Sequence, residues 1–264
     1  MTMKNKALRS VHCLLATIAV ALMSLTVPRR PVFYLVGDST VAVGWGKYLG
    51  DHFDTTAINI QNRAVSGTST RTFITQAVHD KKMTQNGMWN GVITQLQPHD
   101  VVIIQFGHND DSPLADTSRS RGTIKGISDS ATVVFNRFLN KQETVHSFGW
   151  YLAKMVKEAQ AKGAMVIICS PIPKDKWLNG KVIRNNQDYG KWCAMVASNT
   201  GARFLDLNQL VADRYDVEGQ TKVSSTYFTP DHVHTTPQGS ALNASMVATG
   251  IRAFSDAEIK KYLK

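Results

Sequence analysis

Residues Phe33–Val41 read FYLVGDSTV: a run of apolar side chains, then a glycine, an acid and two hydroxyls. With Val32 in front, the apolar part spans 32–37, the length of an ordinary strand. A strand buried on both faces reads as an unbroken apolar run, and that happens where helices cover a parallel sheet on both sides. Ser39 then stands where such a strand leaves the interior. The residue type suits a helix cap, a turn or a nucleophile, and the rest of the chain has to choose.

Similar runs recur: TAINIQ at 56–61, DVVIIQFG at 100–107, AMVIICS at 164–170 and ARFLDL at 202–207. Longer segments of helical period separate them, an alternation that predicts an α/β fold with a parallel sheet covered on both faces. In ETVHSFGWYLAKMVKEAQAKG (143–163), Phe148, Leu152, Met155, Val156 and Ala159 recur at steps of three and four, and Gly163 stops the helix. A last helix is predicted from Pro237, a favourable first-turn residue, through QGSALNASMVATGIRAF. The segment DSPLADTSRSRGTIKGISDS near 111–130 has no usable period and reads as a long loop, of the kind that is often functional. There is no internal repeat and no sign of a second domain.

The chain of 264 residues also begins with a segment that is not part of this pattern. Lys4, Lys6 and Arg9 precede an apolar run from Val11 to Val27, the pattern of a secretory signal. The run is short for a membrane span, which needs about 20 apolar residues. Residues 1–27 are therefore expected to be a signal peptide, 28–264 the working domain, and the location periplasmic or extracellular. There is no clean A-x-A site and Arg29-Arg30 follow the run, so an uncleaved anchor is the alternative; otherwise no stable membrane partner is expected. Without the segment the formal charge falls from +10 to +7. An excess of that size aids solubility or attracts an anionic partner, but no Lys/Arg-rich run and no zinc-finger spacing points to nucleic acid. Cys13 lies in the signal. Export permits a disulfide between Cys169 and Cys193, but one ends an apolar strand and the other sits in the helical-looking QDYGKWCAMVAS, so both read as buried free thiols.

In open parallel sheets ligands bind beyond the carboxyl ends of the strands. Ser39 follows the first strand, AVSGTST with Gly67 the second, and GHND with Asn109 the third. Singly, each has a plain explanation: Ser39 or Asp38 as a cap, Gly67 as a positive-φ turn residue, Asn109 and Asp110 as turn formers. Together they converge on one edge. FTPDHVHTTPQG adds Asp231 and His234, three residues apart in a polar turn before the last helix. A serine needs a base, histidine is the side chain suited to that near neutrality, and a carboxylate orients the imidazole. The Ser39 and Gly67 N–H groups and the Asn109 amide would supply donors to an oxyanion.

GDST, AVSGTST, FGHND and DHVHTTPQGSA, in that order, resemble the SGNH (GDSL-type) hydrolases. GHNDDSPLADTSRSRGTIKG and ETVHSFGWYL resemble, within them, the rhamnogalacturonan acetylesterase-like carbohydrate esterases. The resemblance covers about residues 31–253. It implies a flavodoxin-like three-layer α/β/α sandwich with a central five-stranded parallel sheet, Ser39, Asp231 and His234 as catalytic residues, and Ser39, Gly67 and Asn109 as the oxyanion hole. It implies an esterase that removes acetyl groups from an acetylated acidic polysaccharide, foremost the rhamnogalacturonan of pectin, through an acetyl-enzyme and without a cofactor. Other acetylated glycans such as xylan, lipid esters, and a glycan-binding relative with a decayed catalytic set are the alternatives, the last opposed by the presence of all five residue types.

Relatives often carry arginine after the SG, where this chain has Thr68; Arg71 is a replacement candidate for substrate binding. Arg119, Arg121 and Lys125, in the loop, read equally as substrate contacts or a solvated basic face. Trp177 and Trp192 read as core before sugar platforms. His232 gives DHVH the look of a metal cluster, but no further ligands stand at the right spacing, and no metal is expected. The lysines of PKDKW around Asp175 read as surface.

Overall fold

The apolar run beginning at Val32 forms β1, Val32–Gly37, buried along its whole length. The computed structural model describes residues 29–264, so the expected signal segment, 1–27, lies outside the described residues. Eight strands follow β1: β2 Asn59–Asn62, β3 Val101–Gln105, β4 Ala131–Asn136, β5 Lys141–His146, β6 Met165–Cys169, β7 Trp177–Leu178, β8 Lys181–Val182 and β9 Arg203–Leu205. Five make one parallel sheet in the order β2-β1-β3-β6-β9. Counting only the sheet's own strands this is 2-1-3-4-5, the flavodoxin-like order, whose switch point lies between the first and third strands. The expected five-stranded parallel sheet is present.

Side chains alternate across β1, as strand geometry requires. Val32, Tyr34 and Val36 face one core with Phe73, Trp89, Phe148, Leu152 and Met155. Phe33 and Leu35 face the other with Trp45, Leu207, Val211, Tyr215 and Val247. The helices that supply these layers are α1 Thr70–Thr75, α2 Met88–Ile93, α3 Phe148–Ala161, α4 Tyr189–Thr200, α5 Leu207–Glu218, α6 Gln220–Thr226, α7 Pro237–Ala253 and α8 Ala257–Lys260. α7 begins at Pro237 as predicted, with Thr236 capping through a bond from the Gly239 N–H. Cys169 and Cys193 are buried free thiols, and burial pushes both thiols up. Among the described residues no helix is long and apolar enough to cross a membrane.

Three segments depart from the sequence reading. β2 starts later than expected because Asp54 Oδ1 accepts the Thr56 N–H and hydroxyl, closing a turn first. The helix expected from 143 starts at Phe148; Glu143–His146 belongs to β5, which pairs antiparallel with β4, and Ser147 caps the helix by accepting the Trp150 N–H. A second hairpin, β7–β8, turns on Asn179 and Gly180, both at positive φ as a two-residue Asn-Gly turn demands. The loop near 111–130 is irregular as expected. It is pinned at its base: Thr123 N–H donates to the Asp110 carbonyl, and Ile124 bridges to Ser147.

Candidate active site

Asp38, not Ser39, caps the turn that follows β1. Its Oδ1 accepts the Thr40 N–H at 2.9 Å and the Thr40 hydroxyl at 2.7 Å. The Thr40 hydroxyl in turn accepts from Gln105 Nε2 at 2.6 Å, and Gln105 Oε1 accepts from Trp45 Nε1 at 3.0 Å. This buried network holds the turn Thr40–Gly44 and leaves the Ser39 hydroxyl for another partner. Gly37 is required here, because a Cβ would lie 2.6 Å from the Gln105 carbonyl oxygen. Asp38 Oδ2 faces His108 Nδ1 at 3.4 Å, while His108 Nε2 donates to the Ile172 carbonyl at 3.1 Å. Complete burial works to raise the Asp38 pKa; His108 and Thr40 outweigh it, and the carboxyl sits below its ordinary value. His108 played no part in the reading of GHND, since its partner lies on another strand end.

The partner of Ser39 arrives 195 residues later. His234 Nε2 lies 2.9 Å from Ser39 Oγ, and His234 Nδ1 lies 2.5 Å from Asp231 Oδ2. Asp231 Oδ1 accepts the N–H groups of Val233 and His234, each at 2.9 Å, and the Thr229 hydroxyl at 2.9 Å. Slight desolvation would raise the Asp231 pKa; these donors and the imidazole hold it well below the usual carboxylate range. An ionised Asp231 takes the Nδ1–H, which makes Nε2 the acceptor for the Ser39 hydroxyl. The sequence-predicted set Ser39, Asp231 and His234 is thus in mutual hydrogen-bond contact, at the end of β1 and ahead of α7.

The three expected donors follow β1, β2 and β3 at the carboxyl edge of one parallel sheet. The N–H groups of Ser39 and Gly67 have no protein acceptor among the described residues. Gly67 has φ +80°, a conformation that glycine takes without strain. Asn109 Nδ2 donates one hydrogen to the Thr68 carbonyl at 2.8 Å, and Asn109 Oδ1 accepts from Arg121 Nη1 at 2.7 Å. Those two bonds fix which way the amide points and leave its second N–H unspent. Thr68, where relatives were expected to carry arginine, is buried and donates its hydroxyl to the Val65 carbonyl.

The remaining candidates separate sharply. Arg71 cannot reach a ligand: its side chain is fully buried, paired in two-pronged fashion with Glu143 at 3.0 and 2.5 Å, and bonded to the carbonyls of Gly122 and Leu114. Its expected role as a substrate contact is therefore corrected to that of a structural anchor for α1 and the loop. Arg119 is exposed, and its Nη1 lies 3.8 Å from where a Gly67 Cβ would stand. Arg121 faces Asn109, and Lys125 pairs with Asp111 at 2.7 Å. Asp175, between the two lysines, is buried and accepts from Trp177 Nε1, Ser224 Oγ and His232 Nδ1. Trp177 and Trp192 are partly buried and pack against the second and first cores. Among the described residues no three His, Cys, Asp or Glu are grouped to hold a metal ion.

Comparison with known proteins gives the same orientation. A family model described as "GDSL-like Lipase/Acylhydrolase family" matches residues 35–242. A rhamnogalacturonan acetylesterase of Emericella nidulans is 28% identical over 214 residues, which is 80% of either chain. The rhamnogalacturonan acetylesterase RhgT of Bacillus subtilis is 23% identical over 84% of this chain and 90% of its own. The crystal structure of Bacillus subtilis YxiM superposes with a TM-score of 0.65 at 20% identity, over 85% of this chain; this chain spans 56% of that one.

Proposed function

This chain belongs to the GDSL-like lipase/acylhydrolase family and is a carboxylic ester hydrolase, and from that premise we propose that it is a serine esterase that removes acetyl groups from an acetylated polysaccharide, foremost rhamnogalacturonan. The observation that carries the reading is the Ser39–His234–Asp231 relay, with 2.9 and 2.5 Å links. His234 Nε2 takes the hydroxyl proton as Ser39 Oγ attacks the acetyl carbonyl. The oxyanion accepts from the N–H groups of Ser39 and Gly67 and from the Asn109 amide. His234 returns the proton to the leaving sugar oxygen, and water, activated by the same base, then frees acetate and restores Ser39. Asp231 orients the ring and offsets the imidazolium charge throughout.

The substrate class draws on the likeness to the rhamnogalacturonan acetylesterases of Emericella and Bacillus and on the basic balance of the chain. Arg119, standing beside Gly67, is positioned to meet an acidic sugar. Export by residues 1–27 suits a polymer that cannot enter a cell. The deciding experiment is acetate release from acetylated rhamnogalacturonan, acetylated xylan and a longer-chain acyl ester. Fastest release from the pectic polymer is expected; faster release from xylan or the long-chain ester would move the assignment.

A pH profile tests the base independently. Because Asp231 is held well below the usual carboxylate range, it stays ionised throughout the range in which the enzyme is assayed. Activity is expected to fall on acidification, since the protonated imidazole cannot act as base. A flat profile between about pH 4 and 8, the span in which histidines generally change charge, would remove His234 from the mechanism.

A further inference from the structure

Arg121 is a half-buried arginine without an ion pair. Among the described residues its one hydrogen bond runs from Nη1 to Asn109 Oδ1 at 2.7 Å, and its Nε is buried with no partner. The surrounding carboxylates are engaged elsewhere. Asp116 Oδ1 accepts the N–H and hydroxyl of Ser118, Asp110 Oδ1 those of Thr70, and Asp38 Oδ1 those of Thr40, while Asp38 Oδ2 faces His108. These three attract the guanidinium from beyond ion-pair distance, and Arg119 repels it. Burying a cation costs free energy unless it is paired, so a cation held in this way calls for a function in the site it faces.

The loop is built to hold it. Ser120, buried and at φ +52°, turns the chain between Arg119 and Arg121; its N–H and hydroxyl both donate to the Asp116 carbonyl, at 2.9 and 3.1 Å. A left-handed backbone at a non-glycine residue is uncommon and persists where the surroundings fix it. On the other side, the Gly122 carbonyl accepts from Arg71 Nη1 at 3.0 Å, and the Thr123 N–H donates to the Asp110 carbonyl at 3.1 Å. Arg121 is thereby carried on a segment bonded to the residue next to Asn109.

Asn109 Nδ2 already donates one hydrogen to the Thr68 carbonyl. A cation on the amide oxygen does two further things. It penalises the flipped amide, in which an NH2 group would face the guanidinium, and it draws density from nitrogen to oxygen, which strengthens the remaining N–H as a donor. Both effects count most when negative charge develops on the oxyanion, because a dipole already oriented needs no rearrangement as the barrier is crossed. We propose that Arg121 is a positioning residue for the oxyanion hole: its charge orients and polarises the Asn109 amide, and through that amide lowers the barriers to acylation and deacylation. This rests on the reading of Asn109 as an oxyanion donor.

The test is a double-mutant cycle on the full chain with p-nitrophenyl acetate, an uncharged ester that needs no basic contact. Arg121→Met should lower kcat roughly ten- to a hundredfold, below the hundred- to thousandfold that loss of a whole oxyanion donor costs. KM should change little, because both steps pass through an oxyanion. Arg121→Lys, which keeps the charge and a donor, should fall less, and it carries the cycle if the methionine variant does not fold. On an Asn109→Ala background either substitution should change kcat by no more than about twofold, since the amide it acts through is gone. Wild-type kcat in Arg121→Met, a raised KM with kcat kept, a lysine variant no better than methionine, or equal losses with and without Asn109 would each overturn the role. Asn109→Ala alone keeps the two readings apart. If it is slow and Arg121→Met is not, only the arginine's role fails; if it matches the wild type, the oxyanion reading of Asn109 fails and the arginine's role with it.

Discussion

Replacing Ser39 by alanine is expected to lower kcat for ester hydrolysis by roughly five to six orders of magnitude, the loss seen when a triad nucleophile is removed. The geometry explains why the loss should be confined to chemistry. The turn is held by Asp38, Thr40 and Gln105, and among the described residues the Ser39 hydroxyl bonds only to His234. Stability should therefore change by no more than about 1 kcal/mol, measurable by denaturant unfolding of both proteins. His234→Ala should fall nearly as far, and the double variant hardly further, because the two groups share one proton and act as a unit. Losses that multiplied, or a Ser39→Ala variant keeping more than a tenth of its activity, would show that the 2.9 Å contact is not the reacting pair.

The parts of this site that could be read in advance are those whose neighbours are supplied by topology. Ser39, Gly67 and Asn109 each follow a strand of one parallel sheet, so the sheet brings them to one edge whatever the details of packing. β1, β3 and β6 were legible because burial on both faces leaves an unbroken apolar run. β2, an edge strand with partly exposed side chains, carries no such signature, and its start was misplaced. Partners chosen by tertiary packing were out of reach. Glu143 lies 72 residues from Arg71, in a hairpin whose residues continue smoothly into a helix of the right period. The lysines that flank Asp175 carry a surface signature that says nothing of the aspartate between them, whose three donors come from Trp177, Ser224 and His232. The Asn-Gly of β7–β8 was the one overlooked feature with a local signal. Arg121 sat in the right loop and was weighed as a substrate contact, but a charge in a long loop does not reveal that it faces an asparagine.

Arg71 offers the second large effect, and it falls on the fold. Arg71→Met should destabilise the protein by roughly 3–5 kcal/mol, because it leaves the Glu143 carboxylate buried without its counter-charge. For a domain of this size that is a fall in Tm on the order of 10 °C. The guanidinium also joins α1 to the loop carbonyls of Leu114 and Gly122, so the loss adds buried acceptors without donors. Adding Glu143→Gln should recover more than half of it, since the amide oxygen still accepts from Asn136 Nδ2, which now bonds Glu143 Oε2 at 2.5 Å, while the unpaired charge is gone. Thermal unfolding of the single and double variants measures both steps. A single variant of undiminished Tm that instead bound acidic polysaccharide poorly would restore Arg71 to the ligand. The buried two-pronged pair argues for the other outcome: four of the five guanidinium N–H donors are spent on a carboxylate and two carbonyls inside the protein, and the fully buried side chain presents none to the outside.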